Sequence, residues 1–324
     1  VISGVDMKHT MHAVAAGLML MLSGCGSDND ENTQVIAIDV LAANIEGQFS
    51  LNGGDFPVSQ YEHGIISMAD TDGNPAMLSE TYNGEYAVML VQGDYTDHYS
   101  VVQSGGNVPV NKGETISGNH SVQIDQVHDV EVTAPSVRFQ FTLNSMPFPA
   151  TEYDDGNFYL QSQTGGEAFL LGNSHSSIDP VQVMPGTYDV IYELESGGDQ
   201  VPVNQHATVD TMVIDEMTSG VTVDSITVDF RLSATLDGSP FPVSQYEHGI
   251  FRLVDSSGDI VELGEIYNLP LAVKVIEGSY DITYSHVDGL ALPVNDEAII
   301  LANVDISVNS APVIDILSAE VTPS

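Results

Sequence analysis

Histidines beside carboxylates are the most reactive-looking groups in this chain of 324 residues. Tyr61-Glu62-His63-Gly64 and Tyr246-Glu247-His248-Gly249 each set an imidazole next to a carboxylate and a phenol, which suits a metal ion or a small ligand. Adjacent residues of a strand point to opposite faces, so the pattern also fits a polar strand end or turn after a Tyr. Asp70-Thr71-Asp72-Gly73-Asn74 places oxygen ligands at alternate positions, with Asp70, Asp72 and Asn74 as candidate calcium ligands. A calcium loop needs a bidentate Glu at its twelfth position, where Thr81 stands, and Pro75 intrudes, so a hairpin turn is the stronger expectation. Asp97, His98 and Ser100 are neighbours and Ser285-His286 is a pair, but no Gly-x-Ser-x-Gly elbow presents a nucleophile. The expectation is a protein that is not an enzyme and needs no cofactor, calcium being the one ion offered a loop.

Composition narrows the partners. Six Lys+Arg against 46 Asp+Glu give a formal charge of −40. Such a chain has no basic stripe to neutralise phosphates, which excludes nucleic acid and electrostatic docking on anionic lipid. One Cys excludes an internal disulfide framework.

That Cys sits in a distinctive setting. Met7 is a natural start, Lys8 supplies a positive charge, Ala13 to Leu22 are mostly apolar, and Ser23 and Gly24 precede Cys25. The apolar run is about half of what spans a bilayer. Leu22-Ser23-Gly24-Cys25 resembles the lipobox of bacterial lipoproteins. The resemblance implies cleavage before Cys25, a lipid on its thiol and a membrane-anchored protein of the cell envelope, sorted to the outer membrane in a Gram-negative cell because Gly26 follows. Residues 1–24 are then upstream sequence and signal peptide, and 25–34 an acidic tether.

The remainder repeats. Phe56 to Ile65, FPVSQYEHGI, recurs unchanged 185 residues further on, at Phe241 to Ile250. Midway stands Phe148-Pro149-Ala150-Thr151-Glu152-Tyr153-Asp154-Asp155-Gly156. Gly93-Asp94-Tyr95, Gly186-Thr187-Tyr188 and Gly278-Ser279-Tyr280 keep the same period, as does Pro-Val-Asn at 109–111, 202–204 and 293–295. The period predicts three units of about 92 residues, at 35–127, 128–219 and 220–310. Ile314 to Val321 resembles Ile38 to Ile45, so 311–324 reads as the first strand of a truncated fourth unit or an extra strand that pairs with a neighbour.

The positioning elements are strands. Val137, Phe139, Phe141 and Leu143 alternate, as do Val228, Phe230, Leu232 and Ala234, and turn signals such as Asn52-Gly53-Gly54 and Asp237-Gly238 separate the runs. No stretch outside the leader keeps a helical period for three turns. The fold expected is all-β, three tandem antiparallel two-sheet sandwiches. Pro185-Gly186-Thr187-Tyr188-Asp189-Val190 resembles the last core strand of prealbumin-like modules, the carboxypeptidase regulatory-like and collagen-adhesin B-type domains. Some adhesin relatives carry a Lys–Asn isopeptide bond. Lys112 and Lys274 stand at different places in their units, and the middle unit has no Lys, which excludes a shared bond of that kind.

Together these features predict a lipid-anchored envelope protein acting as spacer, adhesin or assembly component, with surface proteins or glycans as partners. The alternative is a ligand- or metal-binding module using the Tyr-Glu-His-Gly loops. Pro-Val-Asn reads as turn chemistry.

Overall fold

In the computed structural model the described residues are 39–176, 178–242, 244–307 and 313–316. Cys25, the leader and the tether lie outside them. By internal contacts the chain divides into residues 1–40 and 41–324, and all the sandwich units belong to the second part.

The first unit shows the pattern of all three. Its strands are β1 (Ala42–Leu51), β2 (Gly54–Asp55), β3 (His63–Asp70), β4 (Pro75–Glu80), β5 (Glu85–Val91), β6 (Gly93–Gln103), β7 (Glu114–Val122), β8 (Gln126–Val127) and β9 (Val130–Val132). One sheet is built on β1, which pairs antiparallel with β2 and β5 and parallel with β8 and β9. The other runs β4-β3-β6-β7, antiparallel throughout. Alternate residues of each strand turn inward, so Ile45 and Phe49 from one sheet meet Ile66, Met68, Tyr95 and Tyr99 from the other in one core.

The same sheets recur. Ser136–Leu143 and Thr227–Leu236 take the place of β1, and Gly186–Ser196 and Gly278–Asp288 the place of β6. Each unit has its own apolar cluster. Among the described residues the only helices are two three-residue 3-10 turns, Thr81–Asn83 and Ile266–Asn268, and no helix is long and apolar enough to cross a membrane.

Two features depart from the expectation. The sandwiches are not wholly antiparallel, because the last strand of each lies parallel to the first. The unit edges also shift. Gly220–Ser225, expected to open the third unit, pairs with Ser136–Leu143 of the second. Val313–Ile316, expected to begin a fourth, pairs with Ser233 to Leu236 of the third. A sequence period fixes the length of a unit and leaves its starting phase open. Here consecutive strands, such as Gly220–Ser225 and Thr227–Leu236, close one unit and open the next with one residue between them.

Candidate functional site

The Tyr-Glu-His-Gly residues are split between a turn, which holds Tyr61 and Glu62, and β3, which begins at His63. Tyr61 and Tyr246 stand 68% and 72% exposed, and Tyr153, their counterpart in the second unit, 78%. Glu62 turns to the loop after β6, where both of its oxygens accept from Asn107 Nδ2 at 2.9 and 3.1 Å. Asp154 in the second unit likewise accepts from the Gly198 and Gln200 N–H groups, both at 2.8 Å. The acid thus pins that loop. His63 is buried, edge-on to Tyr82 at 5.1 Å, with Nε2 3.9 Å from Glu80 Oε1. His248 sits edge-on to Tyr267 at 5.6 Å, with Nε2 3.7 Å from Glu265 Oε1. Tyr61, Glu62 and His63 therefore do not converge on one pocket, and neither do Tyr246 and His248.

Asp70 closes the β3–β4 hairpin. Its carboxylate accepts from Asp72 N at 3.0 Å, Asn74 N at 2.8 Å and Asn74 Nδ2. Those bonds, the Asn74 side chain's first, hold its pKa below the usual carboxylate range. Asp255 repeats the turn with Ser257 and Asp259 N–H groups. Both Asp70 oxygens are thus engaged by the turn's own donors.

Pro-Val-Asn proves to be a joint. Tyr99 OH donates to Pro109 O at 2.9 Å and Val101 N to Asn111 O at 2.8 Å, which fixes the loop on its own unit. The loop then reaches across. Val110 N donates to Gln182 O at 2.9 Å, Asn111 Nδ2 to Tyr188 OH at 2.7 Å, and Met184 N to Asn111 Oδ1 at 2.8 Å. Val110 packs in the second unit's core and Met184 in the first unit's. The next joint is the same: Val203 N to Lys274 O at 2.9 Å, Asn204 Nδ2 to Tyr280 OH at 3.2 Å, and Ile276 N to Asn204 Oδ1 at 2.8 Å. Asn111 and Asn204 are 1% and 0% exposed. In the third copy the loop is anchored alike, by Tyr284 OH to Pro293 O at 3.2 Å and His286 N to Asn295 O at 2.8 Å. There Val294 is 80% exposed and Asn295 faces solvent.

A cluster in the first unit was not visible to residue-by-residue reading. Asp97 on β6 is 1% exposed. Its Oδ2 lies 2.9 Å from His128 Nε2, 3.0 Å from His120 Nε2 and 2.8 Å from Ser117 Oγ, which donates to it. The two imidazoles approach to 4.2 Å between centroids. His128 is held by its N–H to Glu46 O at 2.8 Å and by Tyr86 OH donating to its carbonyl. Gly47 makes room, since a Cβ there would fall 2.0 Å from His128 O. Burial, the largest influence, opposes ionisation of Asp97, yet the bonds from His128 and Ser117 outweigh it and lower its pKa. The Asp97 bond in turn raises that of His128. His98 and Ser100, the sequence neighbours of Asp97, take no part. Setting the three Gly-x-Tyr strands side by side would have exposed the signal, because Asp97 then stands where Val190 and Ile282 stand.

Beside His128 a groove of about 690 Å³ carries Glu46, Glu85, Asp129 and Tyr86. Its wall is acidic, which suits a cation better than a sugar acid or phosphate.

Fold and joints define a class, tandem β-sandwich modules linked in series by a repeated asparagine joint. No protein-family model matches the chain, and no curated protein does. Solved structures similar to it include the Bacillus anthracis TIE protein, at 10% identity over 86% of this chain and 51% of that one, with a TM-score of 0.22. A DUF3823 family protein from Parabacteroides merdae is 10% identical over 55% of this chain and 100% of its own, with a TM-score of 0.23. The pilus adhesin SpaC from Lactobacillus rhamnosus GG is 12% identical over 88% and 44%, with a TM-score of 0.20. The chain thus spans about half the length of the first and less than half of the third. What the protein does has to be argued from its own geometry.

Proposed function

We propose that this is a non-enzymatic, lipid-anchored protein of the bacterial cell envelope, in which sandwich units joined in series serve as spacer, adhesin or assembly component. The repeated joint carries the reading. Two buried asparagines fix neighbouring units through the same two side-chain hydrogen bonds, joined each time by a third from the valine N–H before them, so separation along the series is set by these joints and not by flexible linkers. Joined units present the same surface several times. Tyr61, Tyr153 and Tyr246 are exposed at equivalent positions, and weak contacts multiplied in this way gain avidity without a strong single site.

The anchor is the directly testable part. Expressed in a bacterial host with labelled palmitate, the chain is expected to incorporate lipid, to fractionate with membranes and to be digested by protease added to cells whose outer membrane has been opened. Cys25→Ala should abolish labelling and leave the protein free of membranes. A wild-type chain found unlabelled and cytosolic would overturn the reading.

A further inference from the structure

Three inward positions of the first unit differ together from their equivalents in the other units. Asp97 on β6 stands where Val190 and Ile282 are fully buried in the cores of the second and third units. His120 faces Tyr95 across β6 and β7, as Met212 faces Tyr188 and Val304 faces Tyr280, and both of those apolar residues pack on their cores. For the third position the register is Leu51 opposite Val132 and Leu143 opposite Ser225. Counting back four residues sets His128 against Val221, which packs on the second core. The equivalent in the third unit, Pro312, lies outside the described residues.

An apolar trio in one unit is thus an Asp–His–His trio in another. The change at Asp97 made singly would bury an unpaired carboxylate, and the changes at His120 and His128 would each replace an apolar residue that packs on a core. Made together they converge, with one donor atom from each side chain lying within 4.8 Å of the others. Packing does not require this, because the second unit builds the same sandwich from Val190, Met212 and Val221. Departure from the local rule at three touching positions is what a site looks like when its fold tolerates an apolar filling.

We infer that Asp97, His120 and His128 form a binding site for a divalent first-row transition metal, with Zn²⁺ as the best fit. Two imidazoles and one carboxylate suit zinc and exclude a calcium-type all-oxygen shell. The two donor separations of 2.9 and 3.0 Å are a few tenths of an ångström below the ~3.3 Å edge of a tetrahedron with ~2.05 Å bonds. An ion between them therefore has only to spread these two edges slightly, displacing the protons now shared between imidazoles and carboxylate, while the third edge lies within 4.8 Å. Ser117 Oγ, at 2.8 Å from both Asp97 Oδ2 and His120 Nε2, supports the carboxylate from outside. His120 is 31% exposed, so the fourth position opens towards solvent on that side. The surface charge of the chain raises cation concentration at the opening.

The test uses the full purified chain after EDTA treatment and dialysis. Calorimetric titration with ZnCl₂ at pH 7.5 should show one tight equivalent per chain, and the melting temperature should rise with added zinc. CoCl₂ should give the intense visible bands of low-coordinate cobalt. Asp97→Val with His120→Met and His128→Val restores the second unit's filling, so this variant should fold and lose the tight equivalent. His120→Gln, a change at a partly exposed position, should weaken binding about tenfold or more. No tight equivalent in the wild type would overturn the site. So would binding unchanged in both variants, which would place the zinc on surface carboxylates.

Discussion

Asn111 Nδ2 lies 2.7 Å from the hydroxyl of Tyr188, a residue of the next sandwich, and Tyr188 in turn donates to Met184 O at 2.7 Å while Met184 N donates back to Asn111 Oδ1 at 2.8 Å. The ring of bonds uses both ends of one amide, in a setting where each partner is buried. Removing the amide leaves a buried backbone N–H without an acceptor and costs about 1–3 kcal/mol. Asn111→Ala and Asn204→Ala are each expected to lower the denaturant midpoint, and the double variant to split one cooperative transition into several. Asn295→Ala, made at the exposed third copy, should leave the midpoint where it was. Equilibrium urea unfolding followed by tyrosine fluorescence and far-UV circular dichroism reads all three.

The joint depends on a core residue one step inward. Tyr99, Tyr192 and Tyr284 donate to Pro109, Pro202 and Pro293, the residues that lead into each Val-Asn pair. Their rings lie against Gly64, Gly156 and Gly249, where an added Cβ would fall 2.4, 2.3 and 2.5 Å from ring carbons. Gly156→Ala is therefore expected to displace Tyr192 and loosen both the second unit and the joint after it, by about 1–3 kcal/mol as an overpacking change. Tyr192→Phe keeps the ring and loses only the bond to Pro202, at about 1 kcal/mol. Thermal unfolding should rank wild type, Tyr192→Phe and Gly156→Ala in falling order. The reverse order of the two variants would show that the glycine is not a packing constraint.

Much of this was legible in the residues. The period, the alternation of Val137, Phe139, Phe141 and Leu143, and the Gly-x-Tyr strand predicted an all-β sandwich array, and the sheets are there. The parallel first-to-last pairing was hidden, because parallel and antiparallel strands with one buried face share the same alternation. Pro-Val-Asn could be read as turn chemistry from its residue types, but its reach to Tyr188 and Tyr280 depends on the next unit's place in space. Asp97 stands in the sequence beside His98 and Ser100, whereas its partners in space, His120 and His128, arrive from β7 and from just beyond β8.

Acid should loosen the second unit through Asp224. Burial is the largest influence on its carboxyl and opposes ionisation, but the N–H and hydroxyl of Ser145 and the hydroxyl of Thr142 outweigh it and hold the pKa below the usual carboxylate range. A depressed folded pKa stabilises the fold above the unfolded value of about 3.9 and ceases to do so as pH falls through the folded value. Asp224→Asn is expected to lower the melting temperature at pH 7 and to match the wild type near pH 2. A gap of equal size at both pH values would assign the loss to shape and not to charge.

Salt should act in the opposite sense on the whole chain. Three of the five Lys and Arg side chains among the described residues are engaged close by: Lys274 Nζ donates to Asp229 at 2.8 Å, Lys112 Nζ lies 3.6 Å from Glu167, and Arg252 lies 3.9 Å from Glu262 and bonds Ser285 Oγ at 2.9 Å. Cleavage before Cys25 would remove one charge of each sign, Asp6 and Lys8, and leave the net at −40. Acidic residues thus far outnumber basic ones, and their mutual repulsion favours the expanded unfolded chain. At about 10 mM ionic strength the Debye length is roughly 30 Å, a span that takes in neighbouring strands and units, whereas at about 1 M it is roughly 3 Å and leaves only direct contacts. The melting temperature is expected to climb with NaCl between those limits. Calcium chloride at matched ionic strength should add no more than sodium if the Asp70 and Asp255 oxygens are closed by their own turns, and a larger rise with calcium would reopen those loops as sites. A melting temperature indifferent to both salts would show that the charge is already compensated within the fold.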